Sequence, residues 1–302
     1  MATVQFTVLK SSAVLELQLL AALWGGSFLL LRMLAPAFGP FFLIESRVLA
    51  GLMVLLPFLV FSPGLKELLA HWRAIALLSL TNMCLPFCLL AFASLYLGAG
   101  TVSILNATVP FFAAATGFFL FGERLGIAAV TGLITGFTGV VLLMAGDVGT
   151  IAVSDTLVAF GAGLTAAFFY GYSANVINHR LLGVSGLAIT TGSLLCTSIY
   201  LLPTLIWFRP ESMPESRLWL GVLLLGTVCT GLPYLIFYRL IMRIGAYQTL
   251  TVTYLVPVFS LFYGMILLAE RVTLVMLFGA LMVLLGVAIT TGRLRLFSPR
   301  SK

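Results

Sequence analysis

Charge is scarce in this chain. Asp, Glu, Lys and Arg make up 8% of its 302 residues, against 61% hydrophobic residues and a mean hydropathy of +1.17. That balance excludes a soluble globule, which would carry about 25% charged residues. Histidine is nearly missing, with only His71 and His179, and no nucleophile lies beside a base. An intramembrane or lipid-handling enzyme would need such a pair, or clustered His and acids at the bilayer surface. Nothing resembles a sodium cage or a file of carboxylates, so no ion coupling is visible. The four cysteines, Cys84, Cys88, Cys196 and Cys229, have no His or carboxylate near them in sequence. Cys84 and Cys88, four apart, share a helix face. They read as small buried thiols in a helix interface, with a metal site as the alternative; no metal and no cofactor are expected. Long loops are lacking too, which leaves no room for a soluble domain.

What is present is a succession of apolar runs of about twenty residues, the length at which an α-helix crosses roughly 30 Å of hydrocarbon with its backbone satisfied internally. Turn signals place ten spans, near 14–34, 41–61, 74–96, 99–121, 126–145, 156–177, 185–207, 218–241, 247–268 and 273–292. The longest loops, 62–73 and 208–217, hold Pro63-Gly64, Pro210 and Pro214. The opening segment lacks a small-x-small cleavage site and reads as a retained first span. With the N-terminus cytoplasmic, Lys10, Lys66, Arg73, Arg124, Arg180, Arg239, Arg243, Arg293, Arg295, Arg300 and Lys302 lie inside, and only Arg32, Arg209, Arg217 and Arg271 outside. That asymmetry favours both termini on the cytoplasmic side. The net charge of +7 is then mostly a topology signal, and the basic residues are too scattered for a nucleic-acid surface.

The chain also repeats itself without a gap at a spacing of 147 residues, the distance from Pro86 to Pro233. Pro86, Gly98-Ala99, Val109-Pro110, Gly117, Glu123-Arg124, Gly132 and Gly139-Val140 recur as Pro233, Gly245-Ala246, Val256-Pro257, Gly264, Glu270-Arg271, Gly279 and Gly286-Val287. Shared hydrophobicity alone would not align glycines, prolines and charges, so the chain is two copies of one unit. Residues 1–145 form the first five-helix copy, 146–155 a hinge loop, 156–292 the second copy and 293–302 a basic cytoplasmic tail. Less cleanly, Trp24-Gly25-x-Ser27 faces Tyr170-Gly171-x-Ser173, and Pro57 faces Pro203. An odd number of spans per copy sets the copies upside down relative to one another. That arrangement suits a site exposed first to one side of a membrane, then to the other.

Proline inside a helix removes a donor and clashes with the carbonyl four residues back. Pro86 frees the carbonyl of Asn82, Pro110 that of Asn106, Pro233 that of Cys229 and Pro257 that of Thr253; Thr230 adjoins Cys229. Polar groups at mid-membrane are tolerated where protein or a water-filled cavity satisfies them. Spans three, four, eight and nine are therefore expected to converge on a central cavity. Alternatively the prolines only bend helices, with their carbonyls met by neighbouring Thr or Ser. Trp72, Trp207 and Trp219 fall near span ends, as an interfacial belt does. Trp24 sits mid-span and is paired by the repeat with Tyr170, while Tyr234 and Tyr238 share one helix face. These rings either enclose the apolar part of a substrate or pack between helices.

Glu45 and Arg47, in span two, point to different faces. They read as structural pairings near the outer surface, with membership in a proton relay as the alternative. Glu123-Arg124 and Glu270-Arg271 close spans four and nine at opposite membrane faces and orient the turns that follow. The rows Gly132-x-x-x-Gly136 with Gly139, Ala113-x-x-x-Gly117 and Ser260-x-x-x-Gly264 permit close helix approach. They read as scaffold joining span four to five and nine to ten, with a dimer interface as the alternative.

A mid-span proline, then Gly122-Glu123-Arg124 or Ala269-Glu270-Arg271, then a glycine-bearing span, twice over, resembles the EamA-type transporters of the drug/metabolite transporter superfamily. Segments 101–125 and 248–274 carry the likeness, with Leu23-Trp24-Gly25 in span one and Arg47 in span two, and it extends over nearly the whole chain. The resemblance implies ten-span, inverted-repeat carriers, many of which export amino acids or other small metabolites across the bacterial inner membrane. The chain is similar to the amino-acid exporters among them, whose cavity lies between spans one, three, four, six, eight and nine. That implies Trp24, Asn82, Asn106, Tyr170, Tyr234 and Thr253 as lining residues.

The expected protein is an all-α membrane protein of ten transmembrane helices, two inverted five-helix repeats around a central cavity. It would sit in the cell inner membrane as a monomer or weak dimer and bind a small molecule, not nucleic acid. It would export small amphiphilic metabolites, amino acids foremost, by alternating access. Asn82, Asn106 and Thr253 would hold polar ends, Trp24, Tyr170, Tyr234 and Tyr238 would surround the apolar part, and Pro86, Pro110, Pro233 and Pro257 would kink the helices. With no fixed charge in the cavity, varied side chains would be tolerated. Multidrug efflux by the same fold is the alternative; there Glu45 would have to supply the buried carboxylate that lipophilic cations favour.

Overall fold

The computed structural model describes residues 11–147, 153–245 and 249–292, and all regular structure among them is helical. The tail at 293–302, the middle of the hinge (148–152) and Ala246 lie outside the described residues. In order come α1 (Ser11–Phe38), α2 (Pro40–Val60), α3 (Gly64–Ser79), α4 (Leu85–Tyr96), α5 (Ala99–Asn106), α6 (Val109–Phe121) and α7 (Ile127–Asp147). There follow α8 (Val153–Arg180), α9 (Gly186–Leu201), α10 (Thr204–Trp207), α11 (Ser216–Gly226), α12 (Leu232–Ile244), α13 (Val252–Leu268) and α14 (Leu274–Thr290). Joined across their internal bends, seven of the described helical runs are long and apolar enough to cross a membrane, while α9, α13 and α14 are shorter apolar helices. This is a multi-pass membrane protein.

The helices bend where the sequence removes a donor. Before Pro86 the chain widens into a π-helical turn, Leu80–Cys84, in which the Leu85 N–H reaches the Leu80 carbonyl. Before Pro233 it does the same at Thr227–Gly231, with the Leu232 N–H on Thr227. A five-residue loop of hydrogen bonding steps around the missing N–H, and such turns recur at functional sites. The other two prolines differ from expectation. Residues 107–108 interrupt the helix, so Pro110 lies in the first turn of α6, where its lost donor costs little. Pro257 stays inside α13, and the break falls earlier, at 250–251.

The loop expected at 62–73 is a turn of only three residues, 61–63, after which α3 begins at Gly64. Leu68, Ile75 and Leu78 recur at helical spacing and bury themselves with Ile189 of α9 in a small second core, which holds the segment helical.

The glycine rows find partners beyond those expected: Gly136 does meet Phe111 of α6, so span five packs on span four, but the rest of the row faces elsewhere. Gly132 lies against Gly286 and Thr290, Gly139 against Gly279 and Val283, and Gly146 against Thr273 and Met276. Helices α7 and α14 therefore run antiparallel across the two sequence copies, with no room for a side chain between them. A Cβ on Gly139 would stand 2.6 Å from the Gly279 carbonyl oxygen, and one on Gly286 2.6 Å from that of Gly132. The pairs are reciprocal, since 132 + 147 = 279 and 139 + 147 = 286. Gly25 of α1 against Phe259 and Ser260 of α13 has a similar counterpart in Gly171 of α8 against Phe112 and Ala113 of α6. The carboxylates of Glu123 and Glu270 fold back over Gly117 and Gly264, and Asn175 of α8 also stands beside Gly117.

Candidate functional site

A cavity of about 640 Å³ lies between α1, α2, α4, α5, α6, α8, α12 and α13, within the roughly 300–1,000 Å³ of small-molecule sites. Trp24, Asn82, Asn106, Tyr170, Tyr234 and Thr253 all line it, and so does Pro110. Tyr238 does not. Its ring stacks on Tyr234 at 6.1 Å and 21°, it presses on Gly186, and its hydroxyl pairs with Thr190 of α9. Pro86, Pro233 and Pro257 are likewise absent from the wall, which they shape through the bends they sit in or beside.

Four of the wall's polar residues come from the helix interruptions or the turns beside them. Asn82 belongs to the first π turn and Cys229 to the second, Asn106 ends α5, and Thr253 lies in the first turn of α13. The hydroxyls of Thr81, Thr108 and Thr253 donate to the carbonyls of Leu78 (3.2 Å), Leu105 (2.6 Å) and Leu250 (2.8 Å). Threonine hydroxyls thus meet backbone carbonyls near the breaks that border the cavity, but these three acceptors are not the carbonyls of Asn82, Asn106, Cys229 or Thr253 that the prolines free. Asn106 Oδ1 is buried without a partner among the described residues. The apolar wall is built around Trp24, which packs edge-on to Tyr234 (6.0 Å, 72°) and against Phe237 (5.4 Å).

The expectation of a cavity without fixed charge is corrected by Arg47, which lines it. Nor is Arg47 in a surface ion pair: it is only 6% exposed. Its Nε donates to Thr230 Oγ1 at 2.9 Å, and its guanidinium lies 4.1 Å from the centre of the Phe87 ring. Among the described residues no carboxylate pairs with it. Glu45 is fully buried on the other face of α2, where Ser198 Oγ donates to its Oε1 at 2.7 Å. It is not part of the cavity wall, and no acidic residue is among the lining residues described. Residues two apart on a helix do point apart here, each to a hydroxyl of the second copy. The signal that could have placed Arg47 was present: an arginine inside an apolar span faces a bundle interior or a cavity.

Towards one end, a turn beyond the lining residues Ser103 and Val256, α5 and α13 are tied together at Ala99. Its N–H donates to Glu270 Oε1 at 3.0 Å, its carbonyl accepts from Ser260 Oγ at 2.8 Å, and Leu261 covers Gly100. A carboxylate at the start of α5 also complements that helix's positive end. At the other end the lining runs out to exposed residues, Leu250 and Thr291. There Arg243 and Arg239 reach Glu16 of α1 at 2.8 and 3.3 Å.

The profile of the EamA-like transporter family matches the chain twice, at residues 11–145 and 157–292. An uncharacterized transporter of Archaeoglobus fulgidus is 24% identical over 296 residues, 94% of this chain and 99% of that protein. A probable amino-acid metabolite efflux pump of Salmonella typhimurium is 25% identical over 280 residues, 90% of this chain and 92% of its own length. A solved crystal structure superposes on 95% of this chain and 99% of its own with a TM-score of 0.65 at 21% identity, a likeness of fold.

Proposed function

Because the chain belongs to the EamA-like transporter family, whose Archaeoglobus and Salmonella relatives are described as transporters and not enzymes, we propose that it exports small amphiphilic metabolites, amino acids foremost, across the inner membrane by alternating access. In this reading the seven long runs and three shorter apolar helices are ten spans, arranged as two inverted halves. The reciprocal α7–α14 contact supports that arrangement, because an antiparallel pair that exchanges with itself is what a two-fold relation in the membrane plane produces. The basic residues favour cytoplasmic termini. Leu250, Thr291 and Ile177 then border a mouth on the cytoplasmic side, and Ala99 with Glu270 closes the far side: an inward-open state. With the glycine faces of α7 and α14 covered within the chain, the working unit is a monomer.

The observation that carries this reading is the cavity itself, walled by both sequence copies, largely apolar and furnished with polar groups at the helix breaks. The name of the Salmonella relative supports amino acids as cargo. Multidrug efflux is disfavoured, since a lipophilic cation would find Arg47 in the wall and no carboxylate. Proteoliposome transport of neutral amino acids, with Trp24→Ala and Asn106→Ala, tests the site: both should raise KM. Unchanged kinetics for both would remove these residues from it. Resistance to cationic dyes without export of toxic amino-acid analogues would favour the multidrug reading instead.

A further inference from the structure

We propose that Arg47 is the anion receptor of the cavity, taking the carboxylate of the transported molecule, so that the site selects zwitterions and anions over cations. This rests on the reading of the chain as a metabolite exporter and narrows its substrate class.

The geometry is that of a receptor held ready. A guanidinium carries five N–H donors in a fixed fork suited to a carboxylate. One of them, on Nε, is committed to Thr230. That bond anchors the base of the fork to the second π turn, whose Thr230 hydroxyl in turn donates a hydrogen bond to the Leu225 carbonyl at 2.8 Å. The Phe87 ring backs the flat face at 4.1 Å, which stabilises the cation without using any donor. The four N–H groups of the two terminal nitrogens make no hydrogen bond to the described residues, and Arg47 lines the cavity. A buried cation in a wall without carboxylates attracts an anion strongly, because the low-polarity surroundings screen it little. An independent group in the same wall supplies the complementary chemistry. Asn106 Oδ1 is an acceptor, buried and unpartnered, and suits an ammonium. Carboxylate to Arg47 and ammonium to Asn106 is the pattern of an α-amino acid, with the side chain left to Trp24 and Tyr234.

The test uses the full-length protein in proteoliposomes, with three probes of one skeleton: L-leucine, L-leucinamide, which lacks the carboxylate, and 4-methylpentanoate, which lacks the amine. The expected result is transport of leucine at least about tenfold better than leucinamide, as loss of a charge-assisted pair implies. Arg47→Gln and the volume-matched Arg47→Met should collapse that ratio toward one. A merely structural role would lower both rates together and keep the ratio. Equal transport of leucine and leucinamide by the unaltered protein overturns the proposal without any variant, as does a ratio preserved in either variant; the exporter reading survives both. Arg47-dependent transport of 4-methylpentanoate but not leucine would keep the receptor and remove amino acids as cargo. Transport of none of the three would overturn both.

Discussion

Gly122 and Ala269 stand 147 positions apart and share one backbone conformation, the left-handed region, with φ of 71° and 53°. Each ends a helix, and in each case the next N–H, of Glu123 or Glu270, returns to a glycine carbonyl, Gly117 at 2.9 Å or Gly264 at 3.0 Å. At this turn glycine takes the left-handed conformation in one copy and alanine in the other. A Cβ on Gly122 would meet nothing within 4 Å, so conformation alone decides the effect of adding one. Gly122→Ala is expected to lose about 1 kcal/mol, and Ala269→Gly to gain about 0.5 kcal/mol after the extra freedom of glycine in the unfolded chain is subtracted. Thermal unfolding of the detergent-solubilised protein should show opposite signs. The same sign for both would mean that φ is not what these positions select.

Neighbouring glycines in α1 offer a sharper contrast. A Cβ on Gly25 would lie 2.8 Å from Phe259 Cβ and 3.1 Å from the Ser260 backbone nitrogen, forcing α1 and α13 apart; one on Gly26 would find Cys229 Sγ at an ordinary 3.7 Å. Gly25→Ala is expected to destabilise by about 1–3 kcal/mol. Gly26→Ala should be neutral or slightly stabilising, since alanine is the better helix former. Equal losses in melting temperature would contradict the α1–α13 contact.

Tyr234 and Tyr238 separate binding from packing. Tyr238→Phe breaks the bond to Thr190 of α9 and should cost about 1 kcal/mol of stability with KM unchanged. Tyr234→Phe removes a hydroxyl from the cavity wall; its KM for a transported amino acid should rise about fivefold if that hydroxyl binds cargo. Transport kinetics and melting curves on both variants check this, and a KM effect confined to Tyr238→Phe would put the site on the wrong side of α12.

Much of this architecture is legible in the sequence because apolar length and proline position act locally. Pro86 and Pro233 announce the π turns, and the polar residues four before the prolines, at 82, 106 and 253, do border the cavity. What sequence spacing cannot say is which surface a helix meets. The row at Gly132, Gly136 and Gly139 signals close approach, and Gly136 does meet Phe111 of α6, yet Gly132 and Gly139 meet α14 of the other copy, a contact between distant segments. The same holds for Arg47: its neighbours Thr230 and Phe87 come from elsewhere in the chain, so a span-end ion pair and a cavity cation look alike until the helices are assembled. Pro63-Gly64 suggests a loop over 62–73, but those residues mark only a turn at its start; the stripe of Leu68, Ile75 and Leu78 decides the rest.

A contact that both partners make with the same patch is isologous, the kind of surface that holds symmetric assemblies together. At the seam of α7 and α14, recognition resides in backbone and glycine on either side, and the connecting segment contributes mainly local concentration. Two fragments made separately, one ending after α7 and one beginning at α8, carry the whole of that seam between them and should reunite in a bilayer.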